Sequence, residues 1–225
     1  MGIQLETELY RVNPEFEKLG LAIPEVTFRK DDKGDLYIEP NDFQELIDAL
    51  FALVYTSGYK PDIFCVFERG GYELYSHFSD LYRNKLLGGI EIPKVLVDIS
   101  AYGHNKKPGT VEMQDLSDVV KKLYGKHVLC LDDCVETGTS YDAYQKEKSK
   151  FGLNTLEEKL AVLLIKENER KVNPNFWVIQ IKEQPWSWYP REYAGMTEEQ
   201  IGFKNKSSRK YILPLIEQQR TGAPE

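Results

Sequence analysis

Apolar residues fall into two kinds of pattern along this chain. From Asn41 onward, Phe43, Leu46, Ile47, Leu50, Phe51 and Val54 recur at helical spacing. That predicts an amphipathic helix over about 42–56 with its apolar stripe in a core. Asn41 suits its N-cap, with Gln44 as the reciprocal partner three residues on. Apolar-rich runs of strand length occupy 62–67, 94–99, 128–131, 160–165 and 176–181, the second and the last interrupted by Asp98 and Gln180. Runs without alternation are what strands buried on both faces of a parallel sheet require. Helical patterns lie between them, over 72 to about 86, over 115–124, and after residue 140, where Tyr141, Tyr144 and Phe151 recur. Strands alternating with helices predict an α/β fold built on a parallel sheet, with ligands at the C-terminal ends of the strands.

The two ends of the chain are patterned differently. Residues 1–36 are polar and irregular, with Pro14, Pro24 and the turn-forming Asp31-Asp32-Lys33-Gly34, and read as an extension or partial cap. Leu36-Tyr37-Ile38 is a short strand or entry segment. Residues 194–225 are polar apart from Tyr211-Ile-Leu-Pro-Leu-Ile216, which suggests a docked segment and a frayed tail from about Gln218. The expected division is an extension over 1–35, one main domain over 36–193 and a C-terminal segment over 194–225.

Composition narrows the function classes. The 225 residues suit one α/β domain with appendages. A net charge of −7 without a long basic run argues against nucleic acid, whose backbone calls for clustered Lys and Arg. No apolar run approaches membrane-spanning length, and the first residues lack the pattern of a secretory signal. Cys65, Cys130 and Cys134 lie in or beside apolar runs, odd in number and without a Cys-x-x-Cys pair. Buried thiols in a reducing compartment, hence the cytosol, are the expectation. Cys134 has no His nearby in sequence to activate it.

The chemistry concentrates in residues 127–141. After the apolar run come Asp132 and Asp133, then Cys134 and Val135, then Glu136, then Thr137-Gly138-Thr139-Ser140 leading into a helix. Gly138 allows close backbone approach. The hydroxyls of Thr137, Thr139 and Ser140 and the free N–H groups of a first helical turn suit an anion, favoured by the helix dipole. Carboxylates at the end of the strand suit a metal or vicinal hydroxyls beside that anion. Together they read as a site for a sugar phosphate with Mg²⁺. The plain alternative is a strand ending in a solvated Asp-Asp turn, which suits one Asp and one Gly better than the whole string.

Three further stretches lie at strand ends. Glu68-Arg69-Gly70-Gly71 follows the 62–67 run and precedes a helix, again an anion-ready turn. Residues 100–112 form a long polar segment containing Gly and Pro, either a lid or a passive surface loop. Lys166 ends the 160–165 run. After the 176–181 run, Trp186, Trp188 and Tyr189 crowd a Pro-flanked segment, where they either stack on a planar base or cover the core.

The string Leu-Asp-Asp-Cys-Val-Glu-Thr-Gly-Thr-Ser resembles the phosphoribosyl-pyrophosphate (PRPP) motif of the type I phosphoribosyltransferases, over roughly residues 36–193. That motif usually has Asp as its third acid; here it is Glu136. The resemblance implies the parallel-sheet fold of that family with a small hood from N- and C-terminal segments. It implies that Asp132 and Asp133 hold the ribose hydroxyls directly or through Mg²⁺, that Thr137 to Ser140 bind the 5′-phosphate, and that Arg69, Gly70 and Gly71 grip pyrophosphate. In relatives the peptide bond matching Glu68–Arg69 is often cis. Ser100 and Tyr102 match the opening of the family's flexible catalytic loop. Lys166 and Trp186 fit positions that, in the similar xanthine–guanine enzymes, bind a 6-oxo group and stack on the purine, with Trp188 as the alternative stacker. Glu192 falls at an acid position and joins Asp132 and Asp133 as an expected metal ligand, while a Trp of the relatives is Arg191 here. Glu136 is expected near the imidazole edge of the base, as general base or hydrogen-bond acceptor. The implied reaction joins PRPP to xanthine, guanine or hypoxanthine in a dimer or tetramer. The Glu136 and Arg191 departures keep a PRPP- or nucleotide-sensing protein without turnover as a second reading, and transfer to a non-purine base as a third.

Overall fold

The structure is a computed structural model that describes residues 10–102, 108–167, 170–182, 187–190, 192–193, 196–204 and 208–221. The chain divides into two compact units. The larger comprises Thr7–Pro24 and Glu45–Gln184; the smaller comprises Met1–Glu6, Glu25–Gln44 and Pro185–Glu225.

Among the described residues, seven strands form the sheet of the larger unit. They are β1 (Tyr10–Val12), β4 (Ile63–Glu68), β5 (Lys94–Tyr102), β6 (Pro108–Met113), β7 (His127–Val135), β8 (Glu157–Lys166) and β9 (Phe176–Ile181), in the order β1-β9-β8-β7-β4-β5-β6. Every pairing from β9 to β5 is parallel; β1 and β6 close the two edges antiparallel. The five parallel strands are those marked by apolar-rich runs, and their centres are buried throughout, as in β4 (Ile63 to Phe67) and β8 (Leu160 to Ile165). One face packs Cys65, Phe67, Val97, Val128, Cys130 and Val162 with the helix residues Val120 and Tyr144.

The larger unit also contains α1 (Glu15–Lys18), α3 (Gly71–Arg83), α4 (Ser117–Leu123) and α5 (Thr139–Ser149). Helix α2 (Pro40–Thr56) begins in the smaller unit and runs into the larger. It starts earlier than its apolar stripe suggested. Pro40 takes the first helical position, where its missing N–H costs nothing, so Asn41 lies inside the helix and is not its cap. Phe43 N–H bonds to Glu39 C=O at 2.9 Å.

The smaller unit holds a three-stranded sheet of β2 (Phe28–Lys30), β3 (Leu36–Ile38) and β10 (Ser187–Trp188), in the order β10-β3-β2. It also holds α6 (Glu198–Lys204) and α7 (Leu213–Thr221), joined through a π-helical turn at Ser208–Ile212. The expected docked segment at 211–216 is thus helical, and α7 extends past Gln218, where a frayed tail was expected. Lys204 ties this unit together: its buried ammonium donates to the carbonyls of Tyr189, at 2.8 Å, and Glu192, and lies 4.2 Å from the Tyr193 ring centre.

The segment 100–112 is not a plain loop. Ser100 pairs with Glu112 and Tyr102 with Pro108 across a β5–β6 hairpin with a register shift between Ser100 and Tyr102. Residues 103–107, including His104, lie outside the described residues.

Candidate functional site

Strand β7 carries the acidic pair. It runs on through Asp132 and Asp133 to Val135, so both acids belong to the strand; Asp132 pairs with Val162 of β8. The Asp133 N–H donates to Asp132 Oδ1 at 2.9 Å. Burial pushes the Asp132 carboxyl up to about 7, against the lowering by that backbone N–H.

The turn after β4 meets these acids. A methyl placed on Gly70 would lie 2.5 Å from Asp133 Cγ and 2.6 Å from Asp132 Oδ1. One placed on Gly71 would overlap the Leu131 carbonyl, so the start of α3 presses on the backbone of β7. Only glycines permit that approach. The Glu68–Arg69 peptide bond is cis, at the place where the family resemblance puts one. Arg69 is exposed beside it.

The turn after β7 leads directly into α5. Gly138 has φ +72° in the left-handed region and precedes the first helical residue, Thr139. Thr137 Oγ1 and Thr139 Oγ1 lie 2.8 Å apart. A pocket lined by Asp132, Cys134, Glu136, Thr137, Ser140 and Tyr141 opens here.

Glu136 and Lys166 come together. Val135 and Ile165 are register partners at the ends of β7 and β8, so the next residue of each strand emerges side by side. The Lys166 ammonium pairs with Glu136 Oε1; the lysine side chain is 4% exposed and the glutamate side chain 23%.

One segment with no motif of its own braces the turn. After β8, Lys171 N–H donates to Thr137 C=O at 2.9 Å, and Val172 packs so closely on Gly138 that a Cβ there would overlap it. Arg170 holds this segment through the Lys166 carbonyl, at 2.5 Å, and Asn173. Its composition is that of any polar loop, so only the fold reveals it.

The base-binding expectations fare unevenly. Lys166 stands in the larger unit. Trp188 is a core residue of the smaller unit, 2% exposed, with its indole N–H donating to Asp35 Oδ2 at 3.0 Å. A ring so enclosed has no face left for a ligand, which corrects the expectation that it stacks on a base. Glu192, expected as a metal ligand with Asp132 and Asp133, belongs to the smaller unit, where its carboxylate accepts the Tyr189 N–H at 3.1 Å. Trp186 and Arg191 lie outside the described residues, and for Ser100 and Tyr102 only the backbone is described.

Among the described residues, no group of three or more His, Cys, Asp or Glu stands together as a metal site. Mg²⁺ does not require one: it is commonly held by one or two carboxylates together with phosphate and water oxygens, so Asp132 and Asp133 suit it. Among the described residues no helix is long and apolar enough to cross a membrane.

A family model described as the phosphoribosyl transferase domain matches residues 34–193. Among solved structures, a purine phosphoribosyltransferase from Pyrococcus horikoshii is similar at 26% identity and a TM-score of 0.52, over 71% of this chain and 95% of that one. A hypothetical protein from Neisseria gonorrhoeae with bound ppGpp is similar at 21% identity and a TM-score of 0.52, over 70% and 88%. A hypoxanthine phosphoribosyltransferase from Staphylococcus aureus is similar at 20% identity and a TM-score of 0.50, over 72% and 79%. The last two speak to the fold alone. No curated protein sequence matches the chain.

Proposed function

Since the chain belongs to the phosphoribosyl transferase domain family, we propose that this phosphoribosyltransferase moves the phosphoribosyl group of PRPP onto a 6-oxopurine, releasing pyrophosphate. The observation that carries the proposal is the contact of Gly70 with both Asp132 and Asp133. It sets the turn suited to a diphosphate beside the acids suited to a ribose, which supports the reading of the two as parts of one site. Similarity to the Pyrococcus horikoshii purine enzyme supports a purine as acceptor.

In this reading the Thr137–Ser140 turn binds the 5′-phosphate through hydroxyls and the N–H groups at the start of α5, where the helix dipole favours an anion. Arg69 and the backbone of Gly70 and Gly71 grip the pyrophosphate. Asp132 and Asp133 accept from the ribose hydroxyls, and their negative charge favours the positive charge that grows at C1′ as the bond to pyrophosphate lengthens. The same two carboxylates would hold Mg²⁺, which when bound would supply positive charge beside the diphosphate. Lys166 donates to the 6-oxo group, and Glu136 accepts from the imidazole edge of the base and takes up its proton. The β5–β6 hairpin bearing Ser100 and Tyr102 shields C1′ from water, which would otherwise capture the ribosyl cation.

The test is pyrophosphate release from PRPP and Mg²⁺ with a panel of bases. Xanthine, guanine or hypoxanthine should support release; adenine, uracil and orotate should not. Release driven only by a pyrimidine would replace the purine reading. PRPP binding without release under any base would replace it with the sensing one.

A further inference from the structure

Helix α5 carries the phosphate turn at its N-terminus, and the face it turns to the sheet joins aromatic packing to polar groups. Tyr141, Tyr144, Gln145 and Lys148 occupy that face at helical spacing, and all four converge on Glu158 of β8. The Tyr141 hydroxyl donates to Oε1 at 2.9 Å, and the Gln145 amide donates to the same oxygen. The Lys148 ammonium pairs with Oε2 at 2.7 Å, and the Tyr144 hydroxyl lies 3.4 Å from Oε2. The Glu158 side chain is 7% exposed and that of Lys148 12%. The rings of Tyr141 and Tyr144 also meet Phe67 of β4 edge-on, at 5.9 and 5.2 Å between centres.

A buried charge pair is a costly way to dock a helix, because apolar residues of similar volume often stabilise as well or better. What they do not supply is direction. An apolar face can slide along a sheet with little loss of buried area, whereas four donors aimed at one carboxylate fix the helix along its axis. The axial position of α5 decides where the N–H groups of Thr139 and Ser140 stand relative to Asp132 and Asp133, since the turn between them is short.

We infer that Glu158 is a positioning residue: through the inner face of α5 it sets the phosphate turn at the distance from the acidic pair that PRPP needs. The inference rests on the reading of that turn as the 5′-phosphate site.

The test compares the full chain with Glu158→Leu, Glu158→Gln and Tyr141→Phe. It reads PRPP affinity by calorimetry with Mg²⁺, steady-state kinetics, and thermal unfolding. Glu158→Leu should weaken PRPP binding about tenfold or more, and Tyr141→Phe about threefold. Glu158→Gln keeps an acceptor for the hydroxyls and should stay within about threefold of wild type. At saturating PRPP, kcat and the KM for the base should move by less than about threefold in the two Glu158 variants. Tyr141→Phe removes one hydroxyl and carries the test if Glu158→Leu does not fold. Unchanged PRPP affinity in the folded variants, with unfolding temperatures lowered, would make Glu158 a stabilising residue only and overturn the inference while the site reading stands. A wild-type chain that binds no PRPP would overturn both.

Discussion

Gly70 and the Glu136–Lys166 pair show how much depends on single side chains at the strand ends. Gly70 has no room for a methyl group, because both carboxylates stand in the way. Gly70→Ala should therefore displace the acids and the turn together. We expect kcat/KM for PRPP to fall on the order of a hundredfold, with far-ultraviolet circular dichroism unchanged. A variant within twofold of wild type would show that the close approach has no role. The Glu136–Lys166 pair predicts an asymmetry. Lys166 is the more deeply enclosed partner. Glu136→Gln takes the charged partner from the more enclosed ammonium, while Lys166→Met takes it from a carboxylate with partial access to water. Removing the charged partner of the more enclosed group is the more expensive change, so Glu136→Gln should destabilise more than Lys166→Met does. Urea unfolding of the two variants, compared at equal m-value, reads the difference.

At the scale of elements, legibility followed length and period. The five parallel strands and α2, α3, α4 and α5 were visible because each repeats its pattern for several residues. Strand β7 was underestimated: Asp132, Asp133 and Cys134 break the apolar run, although their backbone pairing continues to Val135. Strands β1 and β2 were missed because three residues carry no period. The nearness of Glu136 to Lys166 was recoverable in principle, since two adjacent parallel strands that end in register place their next residues together. The Lys171–Val172 brace was not recoverable, having no motif and acting through backbone and a methyl group. The smaller unit was the least legible, because its strands are two or three residues long and the polar contacts that help to order it follow no sequence pattern. Lys204 of α6 is the plainest of these, and it makes a prediction. Burial lowers its pKa from 10.5 to about 8. Between those values the unfolded chain keeps a proton that the folded chain has released, so this group's contribution to stability rises with pH across that window. Below pH 8 folding carries the cost of an enclosed ammonium. Relative to Lys204→Met, which titrates nowhere, the wild-type chain should gain roughly 2–3 kcal/mol between pH 8 and 10.5. Chemical unfolding of both proteins at the two pH values reads the gap; a constant difference would contradict the lowered pKa.

For the molecule as a whole, the proposed reading makes the acidic pair a trade between activity and stability. Two adjacent carboxylates at the end of a buried strand repel each other, and burial already raises one of them to about 7. The apolar residues before them, Val128 to Leu131, already supply the buried part of the strand. In the proposed reading their charge serves a ribose and the cation that accompanies its diphosphate. The double variant Asp132→Asn, Asp133→Asn keeps the shapes and removes the repulsion. Without ligand it should unfold at a temperature equal to or a few degrees above that of wild type. Its phosphoribosyl transfer should fall by several orders of magnitude. A third reading ties the two together. A ligand at a hundred times its dissociation constant stabilises the chain that binds it by about 2.7 kcal/mol. PRPP with Mg²⁺ should therefore raise the unfolding temperature of wild type and leave the double variant where it was. Near-normal transfer by the double variant would remove Asp132 and Asp133 from the chemistry. A double variant less stable than wild type without ligand would show instead that the pair serves the fold.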